Sequence, residues 1–144
     1  MRVVLDCNIL VRSFSRPGGL ADKVLFAVLT GKNTLILSNE MLVEVARVLR
    51  YPRFMLTHGQ DEEGIYNFTL ALREGAEVVA VNPLTLAPIR DQNDILILQA
   101  ALSGQAEILC TCDRDFFEPP ASDFLRRHGI DVMTDVDLMR RLRA

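Results

Sequence analysis

Two textures of apolar residues alternate along the chain. Short dense runs at residues 3–5, 35–37, 78–81, 108–110 and 130–133 read as strands. Between them apolar positions recur at helical spacing over about 19–30, 39–50, 61–74, 94–103 and 121–128, with a last helix at 135–143. Gly31, Gly75, Gly104 and Gly129 stand where helices should stop. This alternation predicts an α/β fold built from right-handed crossovers: one three-layer α/β/α domain over residues 1–144, around a central, mainly parallel sheet of about five strands. No internal repeat, low-complexity tract or Gly/Ser linker interrupts the pattern.

In such sheets ligands bind in the crevice beyond the carboxyl ends of the strands, so the residues that follow each strand carry the functional signal. The first strand runs through VVL straight into Asp6, with Asn8 two positions on. A carboxylate at the end of a doubly buried strand is costly unless something pairs with it. The second strand leads to Ser38 and a helix carrying Glu44, and the fourth to Thr111, Asp113 and Asp115. On a helical wheel Met41, Leu42, Val45, Ala46, Val48 and Leu49 share one apolar arc, with Val43, Arg47 and Arg50 opposite. Glu44 falls on the shoulder of that arc and can lean towards the sheet.

The segment RDQNDILILQAALSG enters a helix that is apolar almost all round and begins with Asp91, Asn93 and Asp94. One such residue suffices as an N-cap, which leaves Asp94, beside the apolar run, as a spare carboxylate. Each acid alone has an ordinary explanation as a cap, a turn residue or a boundary glutamate. Together, Asp6, Glu44, Asp94 and Asp113 come from four separated segments and would repel one another in one crevice. A hard divalent cation removes that repulsion, and ligands that are all oxygen select Mg²⁺ or Mn²⁺ over zinc. Thr111 is placed to hydrogen-bond a neighbouring carboxylate and fix its rotamer.

Composition narrows the alternatives. Three cysteines (Cys7, Cys110, Cys112) form no disulfide framework and read as reduced thiols. His58 and His128 lack the spacing of a zinc site or a hydrolytic triad, and no phosphate loop is present. The first apolar run is too short for a signal peptide and nothing approaches a membrane span, so a cytoplasmic protein is expected. Net charge is −3, but residues 1–53 hold eight Lys/Arg against four Asp/Glu, so the first third is basic and the rest acidic.

The same residues resemble the PIN-domain family of metal-dependent ribonucleases over nearly the whole chain. The resemblance rests on LDCNIL, SNEMLVEVARVL, RDQNDILILQAAL and TCDRDFF, in that order. Order and spacing are most similar to the VapC-like branch, the toxins of toxin–antitoxin systems. Cys7 stands where the family has threonine, Gln92 and Asn93 where it has Pro-Asp, and Cys112 where it has glycine; all four acids are kept.

The resemblance implies a metal-dependent endoribonuclease in which Asp6, Glu44, Asp94 and Asp113 hold Mg²⁺ or Mn²⁺ and direct water at an RNA phosphodiester. Asp115 would be an auxiliary acid, and Asn8 would orient Asp6 or water. Arg12 and Arg16, on the loop expected after the first strand, would be the nearest phosphate contacts, with Arg50 and Arg53 further candidates. An antitoxin protein is the implied partner. A homodimer is expected because the helix at 19–30, and Tyr66 and Phe68 on the helix at 61–74, carry more apolar residues than one sheet-facing stripe needs. A silent PIN-like domain that binds RNA or protein without cutting is the rival reading. A haloacid-dehalogenase-type phosphohydrolase would want Asp-x-Asp, and Asn8 occupies the second place; a receiver-like domain would want a lysine that has no counterpart here.

Overall fold

Val3, Val4 and Leu5 have no solvent exposure, which is the environment their unbroken apolar run demands. They lie in β1 (Arg2–Leu5), the centre of a five-stranded sheet that a computed structural model describes together with residues 1–82, 89 and 91–144 as a whole. The other strands are β2 (Thr34–Ser38), β3 (Glu77–Val79), β4 (Ile108–Cys110) and β5 (Asp131–Met133). Their order is β3-β2-β1-β4-β5 and every pairing is parallel. Among the described residues eight α-helices flank the sheet: α1 (Cys7–Ser15), α2 (Leu20–Thr30), α3 (Asn39–Leu49), α4 (Pro52–His58), α5 (Glu62–Gly75), α6 (Gln92–Ser103), α7 (Ala121–Arg127) and α8 (Asp135–Arg143). The α/β class and the parallel sheet expected from the apolar pattern are those observed.

The strand order dictates where a site can form. From β1 the chain builds outward through β2 and β3, then crosses to the other side of β1 to lay down β4 and β5. The direction of winding reverses between β1 and β4, and a crevice opens there beyond their carboxyl ends. Leu5 pairs with Cys110 in register, and the Asp6 N–H extends the ladder to the Cys110 carbonyl at 2.9 Å. Asp6 and the segment after Cys110 are thereby fixed at the mouth of that crevice.

Two helices depart from the sequence expectation. The stretch after β1 is α1 and not a loop, because Asp6 serves as N-cap and Ile9, Leu10 and Val11 bury themselves against the core. Arg12 therefore sits on a helix, with Arg16 as its C-cap. The short α4 has Pro52 at its first turn and Gly59 in the left-handed region (φ 65°) at its end, the usual asymmetry of helix punctuation. Most of the apolar surplus of α2 is also covered. Val24, Leu25 and Val28 are buried where α2 packs on α1, α8 and β2, while Phe68 packs on Phe14 with ring centroids 4.7 Å apart. Phe26 of α2 stays exposed, as do Val43 of α3 and Tyr66 of α5.

Gly104, just after α6, is required by close approach. A Cβ there would collide with the Cγ2 of Ile36 in the middle of β2. Gly104→Ala should lower stability by about 1–3 kcal/mol through overpacking. Urea unfolding measures this, and an unchanged midpoint would show that the α6–β2 contact is loose.

Candidate active site

The acids reach the crevice by separate local devices. Asp6 is 5% exposed. Its Oδ2 accepts from the Thr111 hydroxyl at 2.7 Å and its Oδ1 from the Asn8 backbone N–H at 3.4 Å. Asn8 thus serves Asp6 through its backbone, and its side chain is exposed at the cleft. The Thr111 hydroxyl also accepts from the Asp113 N–H at 3.0 Å, so one buried threonine ties the ends of β1 and β4 together. The turn is closed by Asp113, whose carboxylate takes the Asp115 N–H at 3.0 Å, and is anchored by Phe116, which is wholly buried.

On α6 the capping question resolves cleanly. Asp91 is the N-cap, accepting from the Asn93 N–H at 2.9 Å. Asp94 points inward at 8% exposure and accepts no hydrogen bond among the described residues. Arg90, which opens this segment, lies outside the described residues. Carboxylate oxygens of Asp94, Asp113 and Asp115 all lie within 4.8 Å of one another. Asp6 and Glu44 stand outside that trio, but both line the same cleft of about 220 Å³ with Asp94 and Asp113. Oxygen-only ligands crowded in this way suit a hard divalent ion.

The electrostatics carry the strain of this crowding. Burial pushes the Asp94 carboxyl up to about 7, helped by the charges of Asp113, Asp91, Asp6 and Asp115. Burial also raises Asp6, against the lowering effect of Thr111 and Asn8. Cys7, beside them, has its thiol pushed far up by burial and then by Asp6 and Glu44, which leaves it no thiolate to act as a nucleophile. His58 and His128 are spent on the backbone carbonyls of Leu49 and Phe124.

Glu44 comes from α3, whose N-cap Ser38 ends β2. Its carboxylate is held by the Arg47 fork at 3.0 and 2.6 Å. Arg47 also donates to the Tyr51 hydroxyl and lies 5.4 Å over its ring. The sequence reading set Arg47 aside as solvent-facing, yet it lines the cleft with Tyr51, Arg53 and Phe54. The run RVLRYPRF, basic residues interleaved with aromatics directly after the Glu44 helix, was the available signal. Arg12 and Arg16 instead line a different groove with Asp135. Arg12 reaches Asp135 at 3.4 Å and the Cys112 sulfur at 3.5 Å. Arg50 pairs with Glu62 on the outside of the helices.

The chain matches the family described as PIN domain over residues 2–115. It belongs to that family. No curated protein matches it. Among solved structures it is similar to a chain in the crystal structure of VapBC2 from Rickettsia felis bound to a DNA fragment from their promoter, with a TM-score of 0.61. The likeness covers 93% of this chain and 98% of that one at 17% identity, a likeness of fold.

A carboxyl raised in the folded state stabilises below its unfolded value and loses that contribution as pH rises through the folded one. For Asp94 the window runs from the ordinary 3.8 to about 7. In chelator, Tm should therefore fall between pH 5 and pH 8, and Asp94→Asn should flatten the slope and raise Tm at pH 8. A wild-type Tm that holds or climbs across this range would show that the acids do not crowd.

Proposed function

We propose that this chain, residues 1–144 acting as one nuclease domain, is a metal-dependent endoribonuclease and the toxin of a toxin–antitoxin pair. The observation that carries the reading is the convergence of Asp94, Asp113 and Asp115 within 4.8 Å at the winding reversal of the sheet, with Asp6 and Glu44 on the same cleft. Family membership supports the nuclease chemistry, and the fold likeness to VapBC2 supports the toxin branch.

Asp6, Asp94 and Asp113 would hold Mg²⁺ or Mn²⁺, with Glu44 and Asp115 completing the ligand set. When bound, the ion neutralises phosphoryl oxygens and makes a nucleophile available near neutral pH. Asp6 is kept in one rotamer by Thr111, so its free lone pairs face the cleft. Asp94 accepts no hydrogen bond among the described residues, so both its oxygens are open to the ion. Arg47 and Arg53 give the opposite wall a positive charge that an RNA phosphate can meet. Arg12 and Arg16, in their separate groove, would meet more distant phosphates. RNA as the substrate rests on the family.

The reading carries two protein partners, an antitoxin and a second copy of the chain, and places the protein in the cytoplasm. No helix among the described residues is long and apolar enough to cross a membrane. Sedimentation at micromolar protein should give about twice the 16.2 kDa chain mass; a clean monomer would leave the exposed Val43 and Tyr66 to the antitoxin.

Asp6→Asn, Glu44→Gln and Asp94→Asn should each reduce Mn²⁺-dependent cleavage of mixed labelled RNAs by at least about a hundredfold while the fold survives. Circular dichroism checks the fold and gel electrophoresis the cleavage. Cutting by Asp6→Asn at the wild-type rate would refute the site, whereas a wild type that binds metal and RNA without cutting would mark a silent PIN domain.

A further inference from the structure

The cleft has two walls of different character, and from the second the ligand scheme takes only Glu44. The acidic wall comes from β1, β4 and α6. The other is the corner between α3 and α4, where Arg47, Tyr51, Arg53 and Phe54 face the carboxylates across the same space. The corner is rigid by construction. Tyr51 is the N-cap residue of α4 with extended backbone (φ −64°, ψ 140°), and Pro52 fixes the first turn behind it. Each ring is dressed by a guanidinium: Arg47 lies 5.4 Å over Tyr51 and Arg53 lies 4.7 Å over Phe54.

The two arginines are not equivalent. Arg47 is committed to Glu44 through both arms of its fork. Arg53 is exposed and has no carboxylate partner among the described residues. An unpaired cation beside a half-exposed tyrosine, at the rim of an acidic pocket, matches the two parts of a nucleotide, a phosphate and a flat base. A base inside a duplex has both faces stacked already and cannot offer one to a ring.

We propose that the α3–α4 corner binds an unpaired nucleotide of the substrate strand, with the Tyr51 ring stacking its base and Arg53 pairing with its phosphate. The inference rests on the endoribonuclease reading and adds to it a subsite for one base and one phosphate. Arg47 stays on Glu44 and braces the Tyr51 hydroxyl, so the ring is oriented before the strand arrives.

The protein has two tyrosines and no tryptophan, so in Tyr66→Phe the emission of Tyr51 is read alone. That variant is titrated with a short unstructured RNA, and with its duplex, in Ca²⁺ in place of Mg²⁺, with the RNA checked as intact on a gel. The single strand should quench Tyr51 emission saturably, and the duplex should not. By anisotropy in the same buffer, Tyr51→Ala should weaken binding by about tenfold and Tyr51→Phe by less than about twofold. Arg53→Ala should lower the salt-dependence slope by about 0.7, the value of one single-strand phosphate contact. Absence of quenching, equal quenching by the duplex, or wild-type affinity in Tyr51→Ala would overturn the proposal. If Mn²⁺-dependent cleavage persists in that case, the nuclease reading stands without it. A wild type that neither binds nor cuts RNA would overturn both.

Discussion

Asp6 sits where the central strand of the sheet meets the first turn of α1, and its carboxylate is held there by the Thr111 hydroxyl and the backbone of the helix it caps. Burying that charge is unfavourable, and the donors offset only part of the penalty. The rest of the site follows from where this carboxylate must be. Because β1 pairs with β4 in register, the Thr111 that satisfies Asp6 also positions the Asp113 turn. Because the sheet reverses its winding at that pair, the N-terminus of α6 opens into the same crevice and brings Asp94. One constraint at the end of one strand assembles carboxylates from distant parts of the chain.

The resulting charge is handled differently on the two sides of the cleft. On the acidic side no cation among the described residues pairs with Asp94, Asp113 or Asp115, and a shared proton or a metal ion would relieve their repulsion. On the other side Glu44 has a ready counter-ion in Arg47, one turn along its own helix. The pair keeps a potential ligand aimed, and it brings a second guanidinium to the rim beside that of Arg53. An acidic protein can in this way receive an acidic substrate.

What the sequence disclosed depended on whether each residue had one job or two. The buried strands were legible because an unbroken VVL or LIL run has few other uses. Asp94 could be singled out because Asp91 already filled the cap beside it. Asp6 is harder: it is a suspected ligand and also the cap of α1, and where the second job goes unseen α1 reads as a loop and Arg12 as a loop residue. Arg47 was lost to the helical wheel, which ranks positions by burial and ignores that an arginine three residues after a glutamate can turn back to it. The packing of α8 against the apolar surplus of α2 is not foreseeable from local pattern.

The central claim is that these carboxylates form one divalent-cation site. Anomalous diffraction from crystals soaked in millimolar Mn²⁺ tests it most directly. The account predicts a peak within coordination distance of Asp94 and Asp113, on the side of the cleft that Asp6 faces, and its loss in Asp94→Asn. A peak elsewhere on the surface, or none at that concentration with the cleft open to solvent, would contradict it.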